Sequence, residues 1–206
     1  MVQLLKTDGN LLTQPVEKAI LETPRHIYVP QKIRHLAYED APLPIGGGQT
    51  ISAPHMVAIM CDALRLKPGE KVLEIGAGSG YNAAVMSRIV GETGKIYSVE
   101  RIESVAKNAV SNLREDGRTN VKVVVGDGTL GLPDYAPYDA IAVACASPEV
   151  PETFLDQIRE GGRILIPIGR MPSELVLAIK KGGKILKNSL GGCAFVPMLG
   201  EFGFRN

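Results

Sequence analysis

Three carboxylates and three glycines in this sequence stand where they could hold a nucleoside. The run Lys71-Val-Leu-Glu-Ile-Gly-Ala-Gly-Ser-Gly-Tyr81 sets Gly76, Gly78 and Gly80 at alternate positions directly after an apolar stretch. Glycines are needed where a backbone turns sharply and a ligand must come close to it. Tyr81-Asn-Ala-Ala-Val-Met-Ser-Arg-Ile-Val90 follows with apolar residues at helical spacing, so free N–H groups of a helix start face whatever the turn admits. Glu100 ends the next apolar run, twenty residues beyond Gly80, where an acidic side chain can hold both hydroxyls of a ribose. Asp127, between Gly126 and Gly128, follows a third apolar run. A carboxylate or loop there can accept from the exocyclic amine of adenine while the backbone pairs with the ring. Taken singly, each glycine is a strand-to-helix connection and Asp127 a turn aspartate. Together they point to a nucleoside-containing cofactor.

Two residues choose among such cofactors. The dinucleotide fingerprint wants Gly or Ala at its sixth position, and here that position is Tyr81. Glu74, two residues before Gly76, would also set a carboxylate near a pyrophosphate. S-adenosylmethionine has no phosphate and carries an ammonium and a sulfonium, so an acidic group near the loop helps it and hurts a nicotinamide dinucleotide. The blander role for Glu74 is to accept N–H bonds from the glycine turn. The ligand-side role is the expectation taken forward.

The elements that must position these residues alternate. Apolar, branched runs at 71–75, 95–99, 121–125, 138–143 and 163–168 read as strands, with helices between them carrying Val105, Ala109, Val110 and Leu113, and then Glu152 to Arg159, ended by Gly161-Gly162. Residues 175–180 and 184–187 read as two further strands around a Lys-Gly-Gly turn. This alternation predicts an α/β fold: a doubly wound, mostly parallel sheet with helices on both faces. Ligands in such sheets sit at the carboxyl ends of the strands, where Gly76, Gly80, Glu100, Asp127 and the Cys145-Ala-Ser-Pro148 turn all fall. Ahead of the alternation, Gln14 to Glu22 reads as a short helix, Arg25 to Val29 between two prolines as extended or irregular, and Tyr38 to Ile45 as a loop leading to a flexible Gly46-Gly47-Gly48. His26 and His35 are isolated surface or satisfied polar residues. Met56, Ile59, Met60, Ala63 and Leu64 mark an amphipathic helix with Pro54 in its first turn. From spacing alone Ser52 reads as its N-cap and His55 as a first-turn polar residue.

Composition bounds the rest. The 206 residues suit one domain, divided as an N-terminal helical extension over 1–66, a cofactor-binding core over 67–190 and a C-terminal segment over 191–206. A net charge of +1 leaves no electrostatic footprint for nucleic acid. Cys61, Cys145 and Cys193 show no metal or redox spacing, and an odd, unpatterned count suits a reducing cytoplasm. No metal site, signal segment or membrane span is evident. A monomer is favoured, although one dimension reveals no exposed patch.

At this point the chain resembles a known family, the protein-L-isoaspartate (D-aspartate) O-methyltransferases, over nearly its whole length. Gln49-Thr-Ile-Ser-Ala-Pro-His-Met56 is similar to the family's own segment before the cofactor domain, which generic methyltransferases lack. Val72 to Tyr81 is similar to its glycine loop, Val125-Gly-Asp-Gly128 to its third-strand motif, and Tyr138 to Ile141 and Leu155 to Arg163 to strands four and five. Phe195-Val-Pro197 is similar to its C-terminal signature; Leu199 departs from it, where the family often has Thr. The resemblance implies the class I S-adenosylmethionine-dependent, Rossmann-like fold and repair of damaged proteins and peptides carrying isoaspartyl residues, with D-aspartyl residues as a second class. It makes Ser52 the catalytic residue facing the substrate carboxylate and the methyl donor. Thr50 and Ile51 are carried over as neighbours that cover the cofactor, with Gly128 beside Asp127. His55, Phe195, Val196 and Pro197 are carried over as parts of the peptide cleft.

The implied chemistry needs no strong base. A carboxylate with a reference pKa of about 3.9 is already ionised at neutral pH. The protein need only position and partly desolvate it against a sulfonium. A neutral hydroxyl can orient it without neutralising it, as an Arg or Lys would. Three rivals stand beside this reading. One is a class I methyltransferase of another substrate, although Cys145-Ala-Ser-Pro148 lacks the Asn/Asp-Pro-Pro-aromatic turn of amino-group methylases of nucleic acid. Another is a nicotinamide-dependent oxidoreductase, disfavoured by Tyr81 and Glu74. The last is a cofactor-binding module without chemistry.

Overall fold

The computed structural model describes residues 1–205. Two short helices, α1 (Val2–Thr7) and α2 (Gln14–Glu22), open the chain. A small antiparallel hairpin, β1 (Leu43–Gly46) and β2 (Gln49–Ile51), precedes α3 (Pro54–Leu64). Then come β3 (Lys71–Ile75), α4 (Tyr81–Val90), β4 (Lys95–Glu100), α5 (Glu103–Glu115), β5 (Val121–Val125), β6 (Tyr138–Val143), α6 (Glu152–Gln157) and three long strands, β7 (Ile158–Ile168), β8 (Ser173–Lys181) and β9 (Lys184–Cys193). The large sheet runs β5-β4-β3-β6-β7-β8-β9, parallel as far as β7 and antiparallel at β8 and β9. The chain winds outward from β3 to β5, then returns on the other side of β3 as β6. The switch therefore lies between β3 and β6, and their carboxyl ends leave a crevice there.

Side chains on successive strand residues point to opposite faces, and the core divides accordingly. Val72, Ala140, Ala142 and Leu165 face one way, into a core shared with Ala19 and Ile20 of α2, Val57 and Met60 of α3 and Ala84 and Val85 of α4. Leu73, Ile75, Ile141, Val143 and Ile166 face the other way, against Val150 and Phe154 beside and within α6. The small Ala140 and Ala142 on the first face leave room for helices to lie close. Helices on both faces of a mostly parallel sheet are what the alternating pattern predicts, here in a form where one face carries most of them.

Four local expectations are corrected. The segment from Arg25 to Tyr28 is a 3-10 helix, held between Pro24 and Pro30 by i to i+3 bonds such as Ile27 N–H to the Pro24 carbonyl. Residues 38–48 are not simply a loop, since β1 and β2 pair through Leu43 with Ile51 and Pro44 with Thr50. The triple glycine closes that hairpin against α5: a Cβ on Gly47 would lie 3.1 Å from Val105 Cγ2. The helix at Glu152 stops at Gln157, and Gly161-Gly162 lie inside β7, where the register slips between Tyr138–Ile158 and Ala140–Arg163 and the extra residues bulge. Finally, β9 runs on to Cys193, through the boundary drawn at residue 191.

Candidate active site

The crevice is a cavity of about 290 Å³ at the carboxyl ends of β3, β4 and β6. Its floor is the turn after β3. Gly76 and Ala77 donate their N–H groups to the Val99 carbonyl of β4 at 2.8 and 3.2 Å, which pins the turn to the neighbouring strand. Gly76, Gly78 and Gly80 all have positive φ (90°, 53° and 88°), so the turn requires glycine for conformation as well as for space. Gly76 and Gly78 line the cavity. Gly80 does not: it is the N-cap of α4, and a Cβ there would stand 3.1 Å from Leu113 of α5. What the structure shows of it is close packing of the helix start.

Glu100 ends β4 and lines the cavity while only 6% exposed. One carboxylate oxygen accepts from Gly78 N–H and the other from Ile102 N–H, each at 3.0 Å. Each oxygen keeps a further lone-pair site, since an ionised carboxylate can accept about four bonds. The side chain thus clamps the glycine turn and remains able to accept from a diol.

Glu74 lies further from the cavity. Its side chain follows Val72 to the helix-covered face, is fully buried, and lies behind the turn rather than in the cavity. Asn82 donates to one oxygen at 2.8 Å and the Ser98 hydroxyl to the other. Burial pushes the Glu74 carboxyl up to about 7, against the pull of the Ser98 and Asn82 bonds and with a smaller push from Glu100. Asn82, which does line the cavity, stands between Glu74 and any ligand. Sequence reasoning passed over Asn82; its place in the first turn after the glycine loop is the signal that would have found it.

Asp127 is likewise turned away. Its carboxylate accepts from the N–H and hydroxyl of Thr129, at 2.9 and 2.7 Å, and from the N–H of Glu201 at 2.8 Å. Burial raises this carboxyl, but the donors from Glu201 and Thr129 outweigh it and hold it below its ordinary value. Asp127 thereby ties the C-terminal turn to the end of β5, with three of its roughly four acceptor sites taken by protein, and it is not among the residues that line the cavity. Gly128 does line the cavity, packed so tightly that a Cβ would sit 2.6 Å from Ile75 Cγ2.

The wall opposite the glycine turn is the segment from Gln49 to Ser52, which places Thr50, Ile51 and Ser52 at the cavity. Ser52 is not the N-cap. Ala53 holds that position without a side-chain bond, and Asp40 reaches the first turn instead, accepting from His55 N–H at 2.9 Å. The His55 ring also meets Asp40, Nδ1 to Oδ1 at 3.0 Å, and does not line the cavity. The remaining wall is C-terminal. Ala146 donates to the Val196 carbonyl at 2.8 Å and accepts from Met198 N–H at 2.7 Å, which lays Val196 and Pro197 along the rim. Phe195 turns inward to the core at 8% exposure and Leu199 lines the cavity. The structure therefore joins Thr50, Ile51, Ser52, Gly76, Gly78, Glu100, Gly128, Val196 and Pro197 at one cavity. It leaves Glu74, Gly80, Asp127, His55 and Phe195 outside it.

The cavity fits S-adenosylmethionine on its own features. It offers a glycine lining at Gly76, Gly78 and Gly128, a buried carboxylate with open acceptor sites at Glu100, and apolar walls from Ile75, Val99 and Val57. No helix among the described residues is long and apolar enough to cross a membrane. Nor do the described residues contain a group of three or more His, Cys, Asp or Glu able to hold a metal ion.

Comparison with known proteins bears on the same region. The family model described as Protein-L-isoaspartate(D-aspartate) O-methyltransferase (PCMT) matches residues 1–202. A protein-L-isoaspartate O-methyltransferase of Methanosarcina mazei is 54% identical over 96% of this chain and 82% of its own length. A solved protein-L-isoaspartate O-methyltransferase superposes with a TM-score of 0.90 at 37% identity, covering 98% of this chain and 66% of that one. A Plasmodium falciparum beta-aspartate methyltransferase (PCMT), solved in complex with S-adenosyl-L-homocysteine, gives 0.87 at 28% identity over 96% of both chains. With the match running through the Ser52 segment, the glycine turn and the C-terminal rim alike, this chain belongs to the protein-L-isoaspartate (D-aspartate) O-methyltransferase family.

Proposed function

We propose that this chain is a protein repair methyltransferase that moves the methyl group of S-adenosylmethionine to the free carboxylate of L-isoaspartyl residues in damaged proteins and peptides, whose methyl ester then closes to a succinimide and hydrolyses in part to aspartate. The observation that carries this reading is the meeting of two walls at one cavity. The glycine turn with Glu100 forms one, and the Ser52 segment with Val196 and Pro197 forms the other. The first is the equipment of a nucleoside cofactor. The second is additional to it and borders the same space.

S-adenosylmethionine, when bound, supplies an electrophilic methyl group. The residues that would hold it are Gly76, Gly78 and Gly128 by close backbone approach, Glu100 by accepting from the ribose hydroxyls, and Thr50 and Ile51 as cover. The Ser52 hydroxyl is free of any capping duty and orients the substrate carboxylate while leaving it ionised. Asp40 carries the capping duty in its place. Along the rim, the Val196 carbonyl and Met198 N–H are engaged by Ala146, and Pro197 has no N–H. The Val196 N–H and the Pro197 carbonyl, which none of these bonds engages, are therefore the main-chain groups we assign to a peptide passing the opening, an edge mode of recognition. In this reading the chain works as a monomer, because one chain walls the whole cavity, and in a reducing cytoplasm, consistent with three unpaired buried cysteines.

Isoaspartate and aspartate carry the same carboxylate and differ in where one methylene lies. Discrimination must come from holding the backbone, and misplacement of about 1 Å can cost on the order of a hundredfold in rate. The test is methyl incorporation from labelled S-adenosylmethionine into paired isoaspartyl and aspartyl peptides. The isoaspartyl peptide should be methylated at least a hundredfold faster, by the same magnitude argument. Comparable rates would leave only a carboxyl methyltransferase of another target.

A further inference from the structure

Arg25 is a cation in an unusual place. It stands in the 3-10 helix between Pro24 and Pro30, is 0% exposed, and has no salt bridge to any described residue. Burial lowers its affinity for its proton. A buried charge without a counter-ion is expensive, and an apolar side chain of similar volume would fill the space at less cost. Packing alone does not account for it.

What the guanidinium does is join three segments. Nε donates to the Ala37 carbonyl and Nη2 to the Ser52 carbonyl, both at 2.8 Å, and its carbon lies 4.7 Å from the centre of the Tyr81 ring. Ala37 follows the second 3-10 helix (Gln31–Leu36), and Tyr81 begins α4 directly after the glycine turn. Ser52 lies between β2 and α3, where neither a ladder nor a helix supplies its carbonyl with a donor. The Arg25 bond takes that place. Fixing a carbonyl fixes the peptide plane that follows Ser52 and so limits the directions open to its hydroxyl. A planar fork can serve two carbonyls and lie on an aromatic face at once, which a lysine ammonium cannot.

We infer that Arg25 is a positioning residue for the methyl transfer, holding the Ser52 segment at a set distance from the glycine turn through the Ser52 carbonyl and the Tyr81 ring. This rests on the reading of Ser52 given above, and it extends the machinery to a residue that does not line the cavity.

The experiment is a double-mutant cycle on the full chain with R25M, S52A and R25M/S52A, and R25K as a second variant. Turnover and KM are read with an isoaspartyl peptide, and affinity for S-adenosylhomocysteine by calorimetry. R25M should lower kcat by about 30-fold or more, the scale of a sub-ångström misplacement, while the calorimetric Kd changes less than about threefold. In the S52A background, where no hydroxyl is left to aim, the same change should cost less than about threefold, a coupling that independent residues do not show. R25K keeps the charge but loses the planar fork that spans the two carbonyls while lying on the Tyr81 ring, and should remain about tenfold or more below the parent in kcat. If R25M does not fold, R25K takes its place in the cycle. An equal cost in both backgrounds, a loss confined to KM or to the calorimetric Kd, or full turnover in R25K would overturn the proposal. Full turnover in S52A would instead remove the role of Ser52 itself, and the inference with it.

Discussion

The buried Glu74 carboxyl should make the stability of this protein fall as pH rises from about 4.5 to about 7. In the fold its pKa stands near 7 against an ordinary 4.5, chiefly because burial disfavours the charged form. The unfolded chain gives up this proton near pH 4.5, whereas the native chain keeps it until about pH 7. Between those values the native state binds more protons than the unfolded one, so the free energy of unfolding declines with pH, and it levels off once the native carboxyl has also ionised. A shift of about 2.5 units at 1.36 kcal/mol each amounts to about 3 kcal/mol. For a chain of this length that is a fall in Tm of about 6–12 °C. Glu74→Gln removes the titrating group and keeps its shape, with Asn82 and Ser98 still beside it. Urea unfolding of both proteins at half-unit steps from pH 4.5 to 8 isolates the effect, because all other groups titrate alike in the two. The difference in stability between variant and parent should move in the variant's favour by about 3 kcal/mol across the range. Parallel curves would refute the argument and mean that the network around Glu74 solvates its charge as well as water does.

Other perturbations separate roles that lie close together. Ser52→Ala should leave stability within about 0.5 kcal/mol and cut turnover, whereas Asp40→Ala should cost about 1 kcal/mol of stability, because Asp40 and not Ser52 serves the first turn of α3. Chemical denaturation and methyl-transfer assays read the two. Glu100→Ala should weaken S-adenosylmethionine binding at least about tenfold, since a hydrogen bond to an ionised acceptor is worth roughly 1.5–3 kcal/mol, and unchanged affinity by calorimetry would remove Glu100 from the site. Gly128→Ala would press a Cβ against Ile75 at 2.6 Å on the cavity wall, so thermal unfolding should show a loss of about 1–3 kcal/mol together with weaker cofactor binding.

Much of the architecture was legible in the order of residues. Apolar runs of strand length alternating with helical spacing fix a parallel sheet, and a glycine turn after the first of them fixes the crevice, because these depend on period and on backbone conformation, which are local. Glu100 was legible for the same reason, as a strand end has one place in such a sheet. Gly161-Gly162 misled because a glycine pair that ends a helix and one that sits in a bulge look alike until the partner strand shows the slipped register.

The side chains' directions were decided only by the tertiary structure. Glu74 pairs in register with Ser98, two residues before Glu100, so both carboxylates lie on one face of the sheet; Glu74, inside its strand, is closed in by Asn82 and Ser98, whereas Glu100, at its strand's end, reaches the cavity. Asp127 carries the same charge as Glu100 but spends it on Glu201, a residue 74 positions away that no local pattern connects to it. Ser52 leaves the first turn of α3 to Asp40, which accepts from His55 fifteen positions on, and gains a tie to Arg25, 27 positions before it. A sequence specifies which groups can accept, donate or carry charge. Which of them meet is set by chain closure over long separations, and in this protein those meetings separate the residues that face the cavity from those that hold it in place.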